Sequence, residues 1–412
     1  MKVRINIERL KADILSLSKI GYQEKDCGIY RPGFSENDML GREWLVNRIK
    51  DCGFEGYMDD AGNVIGRMGP GGMPVVACGS HIDTVPCGGM FDGTLGVLAG
   101  LEAMRVIQEN NIELKYPVEL IAFSEEEGRF GGMFGVQAIC GQIKPDWLEV
   151  AQDADGLRLK DAMRQAGLDP IRSLNVYRDR RDFHGFVELH IEQGPVLEKI
   201  GKPIGVVEGI SGVFKWMVRL IGKAGHAGTA PMEMRSDAFM GLADFAHEIP
   251  RIIEEEGTDK SRLTVGKVDL KPGFPHTIPG EADFTLVGRD MSSEVMKALA
   301  DTCRKALSAI ARRHNLMFEY QQMSWLEPRA CHPEIVELFA RKANDLGYDH
   351  ERMVSGAGHD TQFMTEITRS GMIFVPSVGG VSHAPDEWTH WKDIDKGANL
   401  LLSVILELTE GK

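Results

Sequence analysis

The chain has no CxxC pair. Its seven cysteines (Cys27, Cys52, Cys78, Cys87, Cys140, Cys303 and Cys331) are odd in number and scattered over 412 residues. That argues against a four-cysteine zinc site and a disulfide scaffold, and it suits free thiols in a reducing cytoplasm. Positive charge is scarce too: 47 Lys and Arg face 61 Asp and Glu, a net charge of −14, so no basic stripe for nucleic acid is on offer. No apolar run approaches a membrane span in length, and the N-terminal MKVRINIERLKADILSLSKIG interleaves charges with apolar residues where a signal peptide would be unbroken. The glycine-rich segments match neither GxGxxG nor the P-loop. Together these absences predict a cytoplasmic protein with no nucleic-acid or membrane partner. An anionic ligand would need local positive charge, which metal ions can supply.

At this length two domains are expected. Up to about residue 210, short apolar runs (Pro74 to Cys78, Val118 to Phe123) alternate with helical spacing, as in Leu98, Leu101, Met104 and Ile107. Strand, helix, strand in that order predicts a mostly parallel sheet with covering helices, the α/β class. Near Gly212 the texture changes. Phe214, Trp216, Val218 and Leu220 alternate with Lys215, Met217, Arg219 and Ile221, the pattern of a half-covered strand. A helix from Ser236 to about Glu255 follows, then strands near Leu263 to Val268 and Ala282 to Arg289, a helix from Ser293 to His314 and a strand at about Leu316 to Gln321. That order is ferredoxin-like α+β. Residues 212–328 are thus expected to form a domain inserted into a catalytic one of residues 1–211 and 329–412.

Four segments carry chemistry. In GSHIDTVPCGGMFDG (Gly79 to Gly93), His81 and Asp83 leave a strand at the edge where parallel sheets bind ligands, and Asp92 follows a glycine-rich loop. Asp83 is placed to accept the second ring N–H of His81 with its carboxylate. In FSEEEGRF (Phe123 to Phe130), one glutamate can bind a metal while its neighbour serves as general base. His190 lies within a predicted strand in VELHIEQG, and His383 in the loop GGVSHAPDEW. Each histidine alone is more often structural than a ligand. Five such residues at strand ends, all nitrogen or carboxylate donors, point to zinc, manganese, cobalt or nickel.

With GSHIDTVPCGGMFDG, ELHIEQGPVLE, GHAGTAPMEMRSDA, SGAGHD and PSVGGVSHAPDE, the chain resembles the N-carbamoyl-L-amino-acid hydrolase and allantoate amidohydrolase family along essentially its whole length. The resemblance implies two divalent metal ions per subunit: His81 and His190 on one, Glu127 and His383 on the other, with Asp92 bridging. It implies Glu126 as the base that deprotonates the bridging water. The family usually has one more residue before the Arg-Phe pair, and an ungapped pairing would make Glu125 the base and Glu126 the ligand; the Glu-Glu-Gly order favours Glu126 and Glu127. It further implies that His226 reaches a partner subunit's site in a homodimer to stabilise the oxyanion, that the inserted domain is a lid and dimerisation domain, and that Arg289 clamps a substrate carboxylate. Gln193, His276 and Gly358 match substrate-contacting positions. His276 stands where asparagine is common, and Asp290 follows Arg289 where histidine is usual. The expected reaction is C–N hydrolysis of an N-carbamoyl-L-amino acid or related ureido acid such as allantoate. The alternatives are an aminoacylase or dipeptidase of the same fold, and a non-catalytic binding homologue.

Overall fold

The computed structural model describes residues 3–410. The chain divides into two compact units, one made of residues up to Glu208 and from Ala330 onward, the other of Gly209–Arg329.

The first unit is built on a nine-stranded mixed sheet. Its centre is four parallel strands in the spatial order Ser370–Val375, Phe183–Ile191, Val75–His81, Val118–Phe123. Antiparallel strands flank them, Ile204–Ile210 on one side and Val64–Met68 with Glu55–Met58 on the other. The strands Val75–His81, Val118–Phe123 and Ser370–Val375 are buried at every residue, which is why they read as apolar runs rather than alternating patterns. Helices Thr94–Glu109 and Trp391–Glu410 pack on each other and on the sheet. Phe123, Phe186, Val136, Ile139 and Phe363 join a separate core cluster that brings in the short helices Phe134–Ile139 and Asp360–Met364.

From Val75–His81 the chain passes to Val118–Phe123 on one side, then returns to place Phe183–Ile191 on the other. The connections therefore diverge at the carboxyl end of Val75–His81, the kind of switch point where open α/β sheets leave a crevice. His81 ends its strand, His190 is next to last in its own, Glu125 to Glu127 follow Phe123, and the loop to His383 follows Val375. All four segments emerge at that edge.

The second unit is a four-stranded antiparallel sheet in the order Arg262–Lys271, Glu281–Asp290, Gly212–Ile221, Met317–Leu326. Helices Ala238–Glu256 and Ser293–Arg313 supply the other half of its core. Phe214, Trp216, Val218 and Leu220 face Leu242, Phe245, Leu299 and Leu307, while Lys215 and Arg219 are exposed. The order in the chain is strand, helix, strand, strand, helix, strand, the split ferredoxin-like arrangement. Among the described residues, no helix is long and apolar enough to cross a membrane.

Candidate metal centre

Asp92 sits between two groups of side chains. Its Oδ1 lies 3.1 Å from His190 Nε2 and 3.6 Å from His81 Nε2. Its Oδ2 lies 3.2 Å from His383 Nε2, which is itself 3.3 Å from Glu127 Oε2. His81, Asp92 and His190 thus form one potential cation site, and Asp92, Glu127 and His383 a second.

Hydrogen bonding settles what the ring nitrogens present. His81 Nδ1 is 3.0 Å from the Asp83 carbonyl and His190 Nδ1 is 2.9 Å from the Ile191 carbonyl. A carbonyl oxygen only accepts, so each Nδ1 carries a ring proton, and it is Nε2 that holds the lone pair when the ring is neutral. The Gly93 N–H donates to His190 Nε2 at 3.1 Å, a bond that only the neutral, Nδ1-protonated ring can accept. Lone pairs of nitrogen and carboxylate oxygen facing each other repel unless a cation or proton lies between them. Two ligands each about 2.1 Å from a shared tetrahedral ion stand about 3.4 Å apart. The separations of 3.1 to 3.6 Å fit that spacing, and the donor set of imidazole and carboxylate fits zinc-like or manganese-like ions.

The electrostatics point the same way. Burial disfavours charge on His81, but the carboxylates of Glu126, Asp92 and Asp83 outweigh it and favour the cation strongly. His190 is likewise penalised by burial, and Asp92 and Glu188 carry it above its ordinary value. His383, hydrogen-bonded to Asp92, is raised to about 9. Burial would raise the Asp92 carboxyl, yet the three imidazoles hold it well below the usual range. At all three imidazoles the buried carboxylates favour positive charge.

The three glutamates separate. Glu125 has a left-handed backbone (φ 52) and turns away, its carboxylate accepting from Phe130 N–H at 2.6 Å and Gly132 N–H at 3.2 Å. Burial pushes it up to about 8. Glu126 Oε2 reaches to 3.6 Å from His81 Nε2. Burial, reinforced by Glu127, Asp360 and Asp83, raises Glu126 well above an ordinary carboxyl, and burial lifts Glu127 to about 7.

Asp83 corrects one expectation. Its carboxylate is 3.8 Å from His81 Nδ1, and its own backbone carbonyl takes that proton instead. The carboxylate accepts the backbone N–H groups of Glu126 (3.3 Å) and Glu127 (3.2 Å), so it orients the glutamate turn rather than the histidine. Behind it lies a buried arginine that sequence reasoning missed. Arg42 donates to Asp38 at 3.0 Å, to the Gly62 carbonyl at 3.0 Å and to the Phe123 carbonyl at 3.2 Å, and stands 3.7 Å from Asp83. Glu387, also missed, accepts from Phe91 N–H (3.0 Å), Asp92 N–H (3.1 Å) and the Ser382 hydroxyl (3.1 Å), tying the Asp92 loop to the His383 loop. The only available signal was its place in SHAPDE.

Gly93 shows why the glycine-rich loop needs its glycines. It centres a γ-turn (φ 61, ψ −49) closed by Thr94 N–H to the Asp92 carbonyl at 2.5 Å, and a Cβ there would lie 2.4 Å from the His81 ring.

Of the residues matched to substrate contacts, Gln193 adjoins the centre: its Nε2 donates to Asp92 Oδ2 at 2.9 Å and to Ser382 Oγ at 3.2 Å, and its buried Oε1 has no partner among the described residues. Gly358 precedes the buried His359, whose ring packs edge-on against His190 with centroids 4.5 Å apart. His226, His276 and Arg289 belong to the second unit. His226 is exposed, pairs across a two-residue ladder with Thr277, and accepts from Gly228 N–H through Nδ1 at 3.1 Å. The His276 carbonyl accepts the Ala227 N–H. Arg289 lies on the central strand Glu281–Asp290, and burial lowers its guanidinium pKa.

Comparison with known proteins gives a consistent picture. The model of peptidase family M20/M25/M40 matches residues 77–407. An N-carbamoyl-L-amino-acid amidohydrolase of Paenarthrobacter aurescens is 37% identical over 405 residues, covering 97% of this chain and 98% of its own. An allantoate amidohydrolase of Bacillus subtilis is 32% identical over 387 residues, 93% of each chain. Among solved structures, an amidase of the hydantoinase/carbamoylase family from Burkholderia multivorans superposes with a TM-score of 0.91 at 32% identity and covers 99% of each chain.

Proposed function

The chain belongs to peptidase family M20/M25/M40, and from that premise we propose that it is a metal-dependent amidohydrolase cleaving the C–N bond of an N-carbamoyl-L-amino acid or a related ureido acid such as allantoate. The observation that carries this reading is Asp92, whose two oxygens face two separate histidine-containing donor groups with Glu126 alongside.

We assign His81 and His190 to one divalent ion, Glu127 and His383 to the other, and Asp92 to both. Zinc, manganese, cobalt and nickel all suit these donors. When bound, such ions supply Lewis acidity, lowering the pKa of a water and polarising the substrate carbonyl. The chain's own residues do the rest. Glu126, whose burial and carboxylate neighbours make it a stronger base than a surface glutamate, takes the water's proton and delivers it to the departing nitrogen. Asp83 fixes the turn that aims Glu126 and Glu127. Gln193 is held by Asp92 and Ser382 with Oε1 left to accept a substrate N–H. We assign Arg289, with His276 and Gly358, to the substrate carboxylate side, since a guanidinium can grip a carboxylate with two parallel bonds. His226, its Nδ1 occupied by Gly228 N–H, keeps Nε2 to donate to the developing oxyanion of a partner subunit in a homodimer. A reducing cytoplasm suits its seven free cysteines.

The test is ammonia release from N-carbamoyl-L-amino acids and allantoate after reconstitution with manganese, zinc, cobalt or nickel, set beside amine release from N-acetyl amino acids and dipeptides. Ureido substrates should dominate. Faster release from acyl or peptidyl amides would transfer the chain to the aminoacylases and dipeptidases, and no hydrolysis at all would mark a binding homologue.

A further inference from the structure

A cavity of about 400 Å³ opens beside Glu127 in the first unit. Glu127 links it to the metal centre: Oε2 faces His383 while Oε1 accepts the Val85 N–H at 3.3 Å. Much of the remaining lining is apolar, with Pro32, Val85, Pro86 and Ala154 prominent. The polar groups that share the lining are mostly committed elsewhere. Arg129 donates to Asp153 at 3.1 Å and to the Gly33 carbonyl at 3.0 Å. One Asp153 oxygen takes that bond and the other accepts the Asp155 and Leu157 N–H groups. The Thr84 hydroxyl accepts from Arg31 N–H and donates to the Ile29 carbonyl. With those side chains engaged, what the cavity offers a ligand is largely apolar surface. Asp155, exposed at the rim, is the one lining carboxylate not engaged in this way.

We propose that this cavity receives the amino-acid side chain of the substrate, with Val85 and Ala154 as specificity residues, and that it makes the enzyme prefer N-carbamoyl-L-amino acids bearing apolar side chains over small polar ureido acids such as allantoate. The proposal rests on the amidohydrolase reading above and narrows its substrate class. An apolar side chain buried there gains by leaving water, whereas a second ureido group would lose its hydrogen bonds to solvent and find few replacements. A single methylene in such a pocket discriminates by about 10–200-fold.

The experiment measures kcat/KM by ammonia release with the full-length, manganese-loaded protein on N-carbamoyl-L-leucine, N-carbamoylglycine, N-carbamoyl-L-lysine and allantoate. The same ratios are then taken for Val85→Phe and Ala154→Phe, which reduce the cavity. Ala154 is exposed on a turn, so its variant keeps the test sharp if Val85→Phe folds poorly. The leucine-to-glycine ratio should exceed about tenfold in the wild type and fall about tenfold or more in the variants, because a ratio cancels any general loss of activity. A ratio near one, a best rate with lysine or allantoate, or a ratio untouched in both variants overturns the proposal while leaving the amidohydrolase reading intact. Metal-loaded protein that cleaves none of the four overturns both.

Discussion

Substituting Gly93 by alanine should disable the first cation group without removing any ligand. The added Cβ would lie 2.4 Å from His81 Cδ2 and Nε2, and 2.5 Å from Cε1. Ordinary contact needs about 3.4 Å or more between such atoms, so the ring must retreat by roughly 1 Å. Metal–ligand distances tolerate only about 0.2 Å, so the retreat is several times what His81 can absorb and still coordinate. Displacing an outer-shell partner already costs about 10–100-fold in metal affinity, and losing a direct ligand should cost at least that. The backbone adds its own penalty. The γ-turn at φ 61, ψ −49 is tolerated by glycine and costs alanine on the order of 1–3 kcal/mol. Chelator competition would report the affinity, and urea unfolding of the metal-free protein would report the strain. Gly72→Ala is the control, because Gly72 has φ +74 but nothing within 4 Å of its would-be Cβ. It should lose some stability and keep its metal affinity. If Gly93→Ala binds metal as tightly as the wild type, His81 is not a ligand.

Three further outcomes follow from the same geometry. Glu126→Gln should lower turnover by orders of magnitude with metal content intact, whereas Glu125→Gln, at a side chain turned towards Phe130 and Gly132, should retain most activity; steady-state ammonia release decides, and the reverse result would reassign the base. Arg42→Met should destabilise the first unit by about 3–5 kcal/mol, because it removes the guanidinium closest to the buried Asp38 and Asp83 and leaves them only the more distant Arg31; a loss below about 1 kcal/mol in urea titration would contradict that. Glu387→Ala should weaken metal binding about 10–100-fold by freeing the Phe91 and Asp92 N–H groups, an effect that isothermal titration would detect and that unchanged affinity would rule out.

The sequence announced the central strands because residues buried on both faces must be apolar. It understated their length where polar residues are buried with partners. The apolar run ends at Cys78, yet pairing continues through Gly79 and Ser80 to His81, with the Ser80 hydroxyl donating to the buried Glu188 at 2.7 Å. The alternation in Gly212–Ile221 was plain because that strand is central and covered on one face. Met317–Leu326 runs beyond the expected Gln321 because it is an edge strand, exposed at most positions and without a pattern to read. The histidines and carboxylates of the candidate centre were visible as strand-end motifs. Arg42 and Glu387 were not, since a charged residue that bonds across the fold looks in sequence like any surface charge. Asp83 was visible but assigned the wrong acceptor, because spacing alone cannot tell a side-chain oxygen from the carbonyl of the same residue.

The most direct trial of a two-ion centre is a metal titration of exhaustively chelated protein, following ammonia release from an N-carbamoyl-L-amino acid against equivalents of manganese added. Activity should be absent at the start and should climb to a plateau at two equivalents per chain. Full activity without metal, or saturation at one equivalent, would contradict a centre in which Asp92 serves two ions.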